Sequence, residues 1–134
     1  MIVSDRHEDM ARWLGAKTGL DFKPPFTWIG SINKTGEIEA VLLFQSWTTN
    51  DIEISVAATT LSRTLLRAAF RYVVGQLHCR RATFRTHEDN ERAVASLFRA
   101  GGRLEGRLRR YYPDGAAALV FGILKEDYPY GICT

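Results

Sequence analysis

At 134 residues, with 46% hydrophobic and 25% charged residues, the chain can fill one core and is too apolar for a disordered segment. A net charge of +3, from 18 basic and 15 acidic residues, suits an anionic small partner and is weak grounds for nucleic acid. No apolar run approaches the ~20 residues that span a bilayer, and with acidic residues in the N-terminal stretch no secretory signal is expected.

Cys79 and Cys133 lie far apart without metal-ligand spacing, so the expectation is one domain over residues 1–134 with free thiols in a reducing cytoplasm. Asp5 and Glu8 have capping-box spacing and predict a helix with Met10, Trp13 and Leu14 inward, stopped at Gly19. Lys23-Pro24-Pro25 breaks the chain. Phe26 to Ile32 and Glu37 to Trp47 then predict two antiparallel strands around Asn33-Lys34-Thr35-Gly36. After Thr48-Thr49-Asn50 a third strand, Asp51 to Ala57, alternates with Ile52, Ile54 and Val56 on one face.

A turn rich in hydroxyl residues leads from that strand into a long helix. Leu61, Leu65, Leu66, Ala69, Phe70, Val73, Val74 and Leu77 form its apolar stripe. Arg81 to Thr86 reads as a strand, and Asp89 as the cap of a short helix with Ala93, Val94, Leu97 and Phe98 inward, ended by Gly101-Gly102. Two further strands, Arg103 to Tyr112 and Ala116 to Lys125, flank the turn Pro113-Asp114-Gly115, and residues from Glu126 onward read as a surface tail. The class is α/β (α+β): a mixed, mostly antiparallel sheet with one right-handed parallel strand–helix–strand crossover and helices on both faces.

The strand-to-helix turn is where chemistry concentrates. The first backbone N–H groups of a helix have no partner within it and can hold an anion. Thr59, Thr60, Ser62 and Thr64 add hydroxyl donors, and Arg63 adds a charge-assisted one. The plainer alternative is that Thr60 or Ser62 only caps the helix.

Asn90-Glu91-Arg92-Ala93, then Gly101, then Glu105-Gly106-Arg107-Leu108-Arg109 resembles the GNAT superfamily of acetyl-CoA-dependent N-acetyltransferases. The branch it is most similar to includes the ribosomal-protein alanine acetyltransferases. The resemblance covers roughly residues 38–126. It implies that the pyrophosphate of acetyl-CoA (coenzyme A) sits on the turn before the central helix, here Ala57 to Ser62, where small hydroxyl residues fill both glycine slots. It also implies that main-chain groups of Ile54, Val56 and Ala58 meet the pantetheine arm in a gap between the two parallel strands. Asn90 would face that arm, or cap the helix it precedes, or do both.

The resemblance implies transfer of an acetyl group to a primary amine of a protein or small molecule. The family's usual acid, a Tyr on the helix after Asn90, falls here on Leu97, which has no proton to donate. The Phe expected after Gly101 is Gly102. Glu53 and His87 are the candidate proton carriers, each with the plainer alternative of a surface side chain. The rival reading is a catalytically degenerate GNAT-like binding or assembly module. The basic run Arg99, Arg103, Arg107, Arg109 and Arg110 would place Arg103, Arg107 and Arg109 on one strand face, as a solvated edge or toward an acidic acceptor. Aromatic interleaving is limited to Tyr111 and Tyr112, which disfavours nucleic acid; no membrane partner is expected, and exposed sheet edges would accommodate a homodimer.

Overall fold

A computed structural model describes residues 1–4, 7–23, 25–58 and 61–130. Asp5, Thr59, Thr60 and Cys133, singled out above, lie outside the described residues. A short strand β1 (Ile2–Val3) precedes α1 (His7–Thr18), β2 (Thr27–Ile32), β3 (Ile38–Gln45) and β4 (Glu53–Ala58). There follow α2 (Arg63–Phe70), β5 (Arg81–His87), α3 (Glu91–Arg99), β6 (Arg103–Leu108) and β7 (Ala118–Leu124). The strands make one seven-stranded sheet in the order β1-β2-β3-β4-β5-β7-β6, antiparallel except for the parallel pair β4–β5.

Alternation in β3 and β4 sends side chains to two separate cores. Leu42, Phe44, Ile54 and Val56 pack with Leu65 and Phe70 of α2 and Leu97 of α3. Val41, Leu43 and Ala57 pack with Met10 and Leu14 of α1 on the other face. The expected mixed sheet with helices on both faces is therefore present.

The central helix departs from its expected regularity. It is α-helical only to Phe70 and continues as wider π turns over Arg71–Gln76, where the Leu77 N–H donates to the Tyr72 carbonyl at 2.9 Å. Tyr72 packs edge-on against Phe44, with ring centroids 4.9 Å apart, and pairs its hydroxyl with that of Thr27 at 2.8 Å, while Val73 stays buried. The wider turn lets neighbouring residues serve the strand edge and the core together.

Three other expectations need correction. Asn90, not Asp89, is the N-cap of α3, its side chain accepting from the Ala93 N–H at 3.3 Å. A bulge between Leu104 and Gly106 shifts the register, so that Arg103 lies opposite Gly122 and Arg107 opposite Leu119. Gly122 and Leu119 are an odd number of places apart, so Arg103 and Arg107 leave the sheet on opposite faces; Arg109 lies beyond the strand, in a turn. The C-terminal segment, as far as Tyr130, is no free tail: Tyr128 is 7% exposed and stacks on Phe70 at 4.0 Å.

Candidate functional site

β4 and β5 run side by side for only part of their length. Glu53 faces Thr83, Ile54 faces Phe84 and Ser55 faces Arg85, and there the parallel ladder stops, although β4 continues to Ala58 and β5 to His87. A cleft of about 190 Å³ opens at this separation, lined by Trp13 and Lys17 of α1, by 56–58 of β4, and by His87 and Asn90. Asn90 spans it. Its Oδ1 caps α3 while its Nδ2 donates to the Ala58 carbonyl at 3.2 Å. The capping role read from the sequence is thus present, and the same side chain borders the cleft.

On the α2–α3 face a second cleft, of about 290 Å³, is lined by Ser62, Arg63 and Leu66 of the α2 start, Ser96 and Arg99 of α3, and Tyr130. Ser62 caps α2, accepting from the Leu65 N–H at 3.1 Å. Ser62 thus meets the capping reading, and it also lines a cleft that holds Arg63 and Arg99. Arg63 lies over the Tyr130 ring at 5.2 Å, and the Tyr130 hydroxyl donates to the Arg99 carbonyl at 3.3 Å. Arg99 in turn donates to Ser96 Oγ at 3.3 Å. Thr64 is exposed and is not among the residues lining this cleft.

Sequence reasoning missed Ser96 and Tyr130. Ser96 lies on the buried face of α3 with Ala93 and Leu97, where the expected Phe98 is half exposed, and its polarity kept it out of the apolar stripe; Tyr130 belonged to a stretch without periodicity. Burial pushes the neighbouring Tyr128 hydroxyl up to about 12, so it is a neutral donor at physiological pH.

The structure places the two candidate proton carriers apart. Glu53 pairs with Arg85 at 3.1 Å on the sheet face that continues from α1, inside a ladder of charges that also holds Asp51, Arg81 and Glu105. His87 lies four residues beyond the partner of Glu53 on β5, ~13 Å along an extended strand, and lines the β4–β5 cleft. Both of its ring nitrogens are engaged: Nε2 with Asp114 at 2.7 Å, and Nδ1 accepting from the Asp89 N–H at 3.1 Å. To take a proton at Nδ1 it must give up that backbone bond. Leu97 is fully buried in the core.

Beside this cleft, Glu88 accepts from the Ala117 N–H and from Arg107, and these bonds hold its carboxyl below the ordinary carboxylate value. Its folded pKa is depressed, so its contribution is complete above that ordinary value and is lost as pH falls through the lower folded one. Glu88→Gln is therefore expected to be less stable than the parent at pH 7, with the gap in urea midpoints narrowing below about pH 4. A gap constant with pH would refute that assignment.

Among the described residues no group of three or more His, Cys, Asp or Glu is placed to hold a metal ion. No helix among them is long and apolar enough to cross a membrane. No protein-family profile and no curated protein sequence matches the chain. Solved structures do. Glu→Gln mutant forms of the spermidine/spermine N-acetyltransferase SpeG from Vibrio cholerae superpose with a TM-score of 0.71 at 12% identity, covering 96% of each chain. The V. cholerae spermidine N-acetyltransferase in complex with CoA and spermine gives 0.69 at 11% identity, again over 96% of each. A T. thermophilus protein whose acetyltransferase activity is inferred gives 0.64 at 21% identity, over 85% of this chain and 65% of that one. The chain has the fold of the GNAT N-acetyltransferases; identities this low establish the fold alone and do not single out the ribosomal-protein alanine branch.

Proposed function

We propose that this chain is a single-domain, acetyl-CoA-dependent N-acetyltransferase acting on a primary amine of a protein or small molecule. The observation that carries the reading is the early end of the β4–β5 ladder, which leaves the strand edge at 56–58 unpaired with β5 in a fold whose solved relatives include a CoA complex. A strand edge released from its neighbour offers main-chain groups to a ligand, and an extended arm carrying amide groups is the chemistry that would pair with it. The residues present fit such a group. Ser62, Arg63, Ser96 and Arg99 would hold the phosphates at the α2 start, and the backbone of Val56 and Ala58, with Asn90, would hold the arm.

Acetyl-CoA supplies the thioester: the amine nitrogen bonds to its carbonyl carbon, the C–S bond breaks, and the amine's proton leaves with the thiolate. The chain contributes positioning, which alone is worth ~7–11 kcal/mol of barrier. Asn90 exchanges its bond to the Ala58 carbonyl for one to the arm, and Trp13 and Lys17 wall the cleft on the α1 side. His87 keeps Asp114 as its orienting partner and can accept a proton once the Asp89 N–H is released.

The test is thermal. Millimolar acetyl-CoA should raise the melting temperature, since a ligand at a hundred times its Kd stabilises by ~2.7 kcal/mol. Asn90→Asp keeps the capping oxygen but loses the bond to the Ala58 carbonyl and sets a carboxylate against it, so its melting temperature without ligand should fall by a few degrees while the ligand-induced shift falls by about half. No shift in the folded parent protein would end the acetyltransferase reading.

The second reading, a binding or assembly module without turnover, is favoured by the buried Leu97 and the fully engaged His87. Thiol release from acetyl-CoA with an amine panel separates the two. Polyamines enter that panel because of the V. cholerae relatives, and peptides with free N-termini because of the sequence resemblance. Product above background removes the module reading.

A further inference from the structure

One polar group beside the β4–β5 gap has no use in the scheme so far. Thr86 is the β5 residue immediately after Arg85, where pairing with β4 ends, and immediately before His87, which lines the cleft. It is fully buried, and its hydroxyl is enclosed with no hydrogen-bond partner among the described residues. Its register against Leu119 of β7 sends the side chain to the α2–α3 face, the face shared by Val56 across the gap.

A buried hydroxyl without a partner is an expensive feature at a position where valine has nearly the same shape and β-propensity. Threonine's other common resort, bonding a nearby backbone carbonyl, is not taken here. His87, one place along, points to the opposite face and has both ring nitrogens satisfied. Asn90 is likewise bonded at both ends. Arg85 Nε is also without a partner among the described residues, but Arg85 pairs with Glu53 on the opposite face; on the α2–α3 face beside the gap, Thr86 is the hydroxyl with a donor left to give.

Resting on the acetyltransferase reading, we propose that the Thr86 hydroxyl is a ligand-binding donor to a carbonyl oxygen of the arm that enters between β4 and β5. The ligand class is an extended acyl-thioester or its amide-bearing arm. Binding gives the hydroxyl its missing partner, so the cost carried by the free protein becomes affinity for the ligand. The hydroxyl also supplies polarisation at the gap, on the side where Leu97 supplies none.

The experiment pairs Thr86→Val, which removes the hydroxyl at constant shape, with Thr86→Ser, which keeps it. Melting temperature without ligand is read alongside calorimetric Kd values for acetyl-CoA and for CoA. Thr86→Val should melt above the parent when free and bind acetyl-CoA about five- to tenfold more weakly, one neutral hydrogen bond's worth. Thr86→Ser should stay within about twofold of the parent in Kd. A loss shared by CoA assigns the bond to an amide of the arm; a loss confined to acetyl-CoA assigns it to the thioester, and both support the proposal. A valine variant that binds like the parent overturns it and leaves the acetyltransferase reading standing. A valine variant that melts lower when free also overturns it, because the hydroxyl then has a partner inside the fold. Absence of binding heat in the parent removes both.

Discussion

Arg63→Glu is expected to weaken acetyl-CoA binding about a hundredfold without lowering the stability of the free protein. Arg63 opens α2 and lines the cleft shared with Ser96, Arg99 and Tyr130. A charge-assisted bond to phosphate is worth ~1.5–3 kcal/mol, and each ~1.4 kcal/mol is tenfold in affinity. Arg63 is exposed, so Arg63→Ala belongs near the lower end, about tenfold. The glutamate adds repulsion of the phosphates and takes the loss further. The free protein responds differently. A cation in the first turn of a helix opposes the macrodipole, and an anion there favours it by ~0.3–1 kcal/mol. The lost contact with the Tyr130 ring offsets that gain, so Arg63→Glu should melt close to the parent without ligand while the ligand-induced shift nearly vanishes. Calorimetry and thermal melting on one preparation check both halves. Equal acetyl-CoA affinity in parent and variant would move the anion site away from the start of α2.

Gly101→Ala is expected to destabilise the fold by about 3 kcal/mol, a fall of roughly 10 °C in melting temperature for a domain of this size. Gly101 follows α3 with a φ of +88°, a conformation that costs a side chain ~1–2 kcal/mol. A Cβ there would also strike the carbonyl oxygen of Asp127, with Pro129 close behind. Relief would require the C-terminal segment to lift and break the stacking of Tyr128 on Phe70, worth a further ~0.5–1.5 kcal/mol. Tyr130 lines the α2–α3 cleft proposed above for the phosphates, so the variant should also bind acetyl-CoA more weakly. A urea midpoint within error of the parent would show that the segment yields freely. The adjacent Gly102 accounts for one departure from the family pattern. A Cβ at that position would approach the Leu97 carbonyl at 2.7 Å, so no Phe fits after Gly101 in this backbone.

Residues with local periodicity announced themselves. The alternation of Ile52, Ile54 and Val56 marked β4, and the stripe through Leu65, Leu66 and Ala69 marked α2. Asn90 was identifiable as both cap and cleft residue because its neighbours carry a family pattern. The bulge in β6 was not legible. RLEGRL alternates well enough for a flat strand, and only pairing with β7 shows the slip that parts Arg103 from Arg107. The placement of β7 between β5 and β6 was equally silent, since a hairpin reads alike whichever arm meets the sheet. Thr86 looked like any outward polar residue of a strand until burial showed its hydroxyl enclosed.

By itself the sequence determined the types and order of the main helices and strands and the polar cap of α2, because those follow from side-chain period and capping chemistry within a few residues. Only the tertiary structure decided where β4 and β5 separate, which side chains reach that gap, and how the C-terminal segment closes over Gly101 and walls the second cleft. Those features arise from contacts between residues distant in the chain, where register and backbone clearance govern and local pattern carries no record of them.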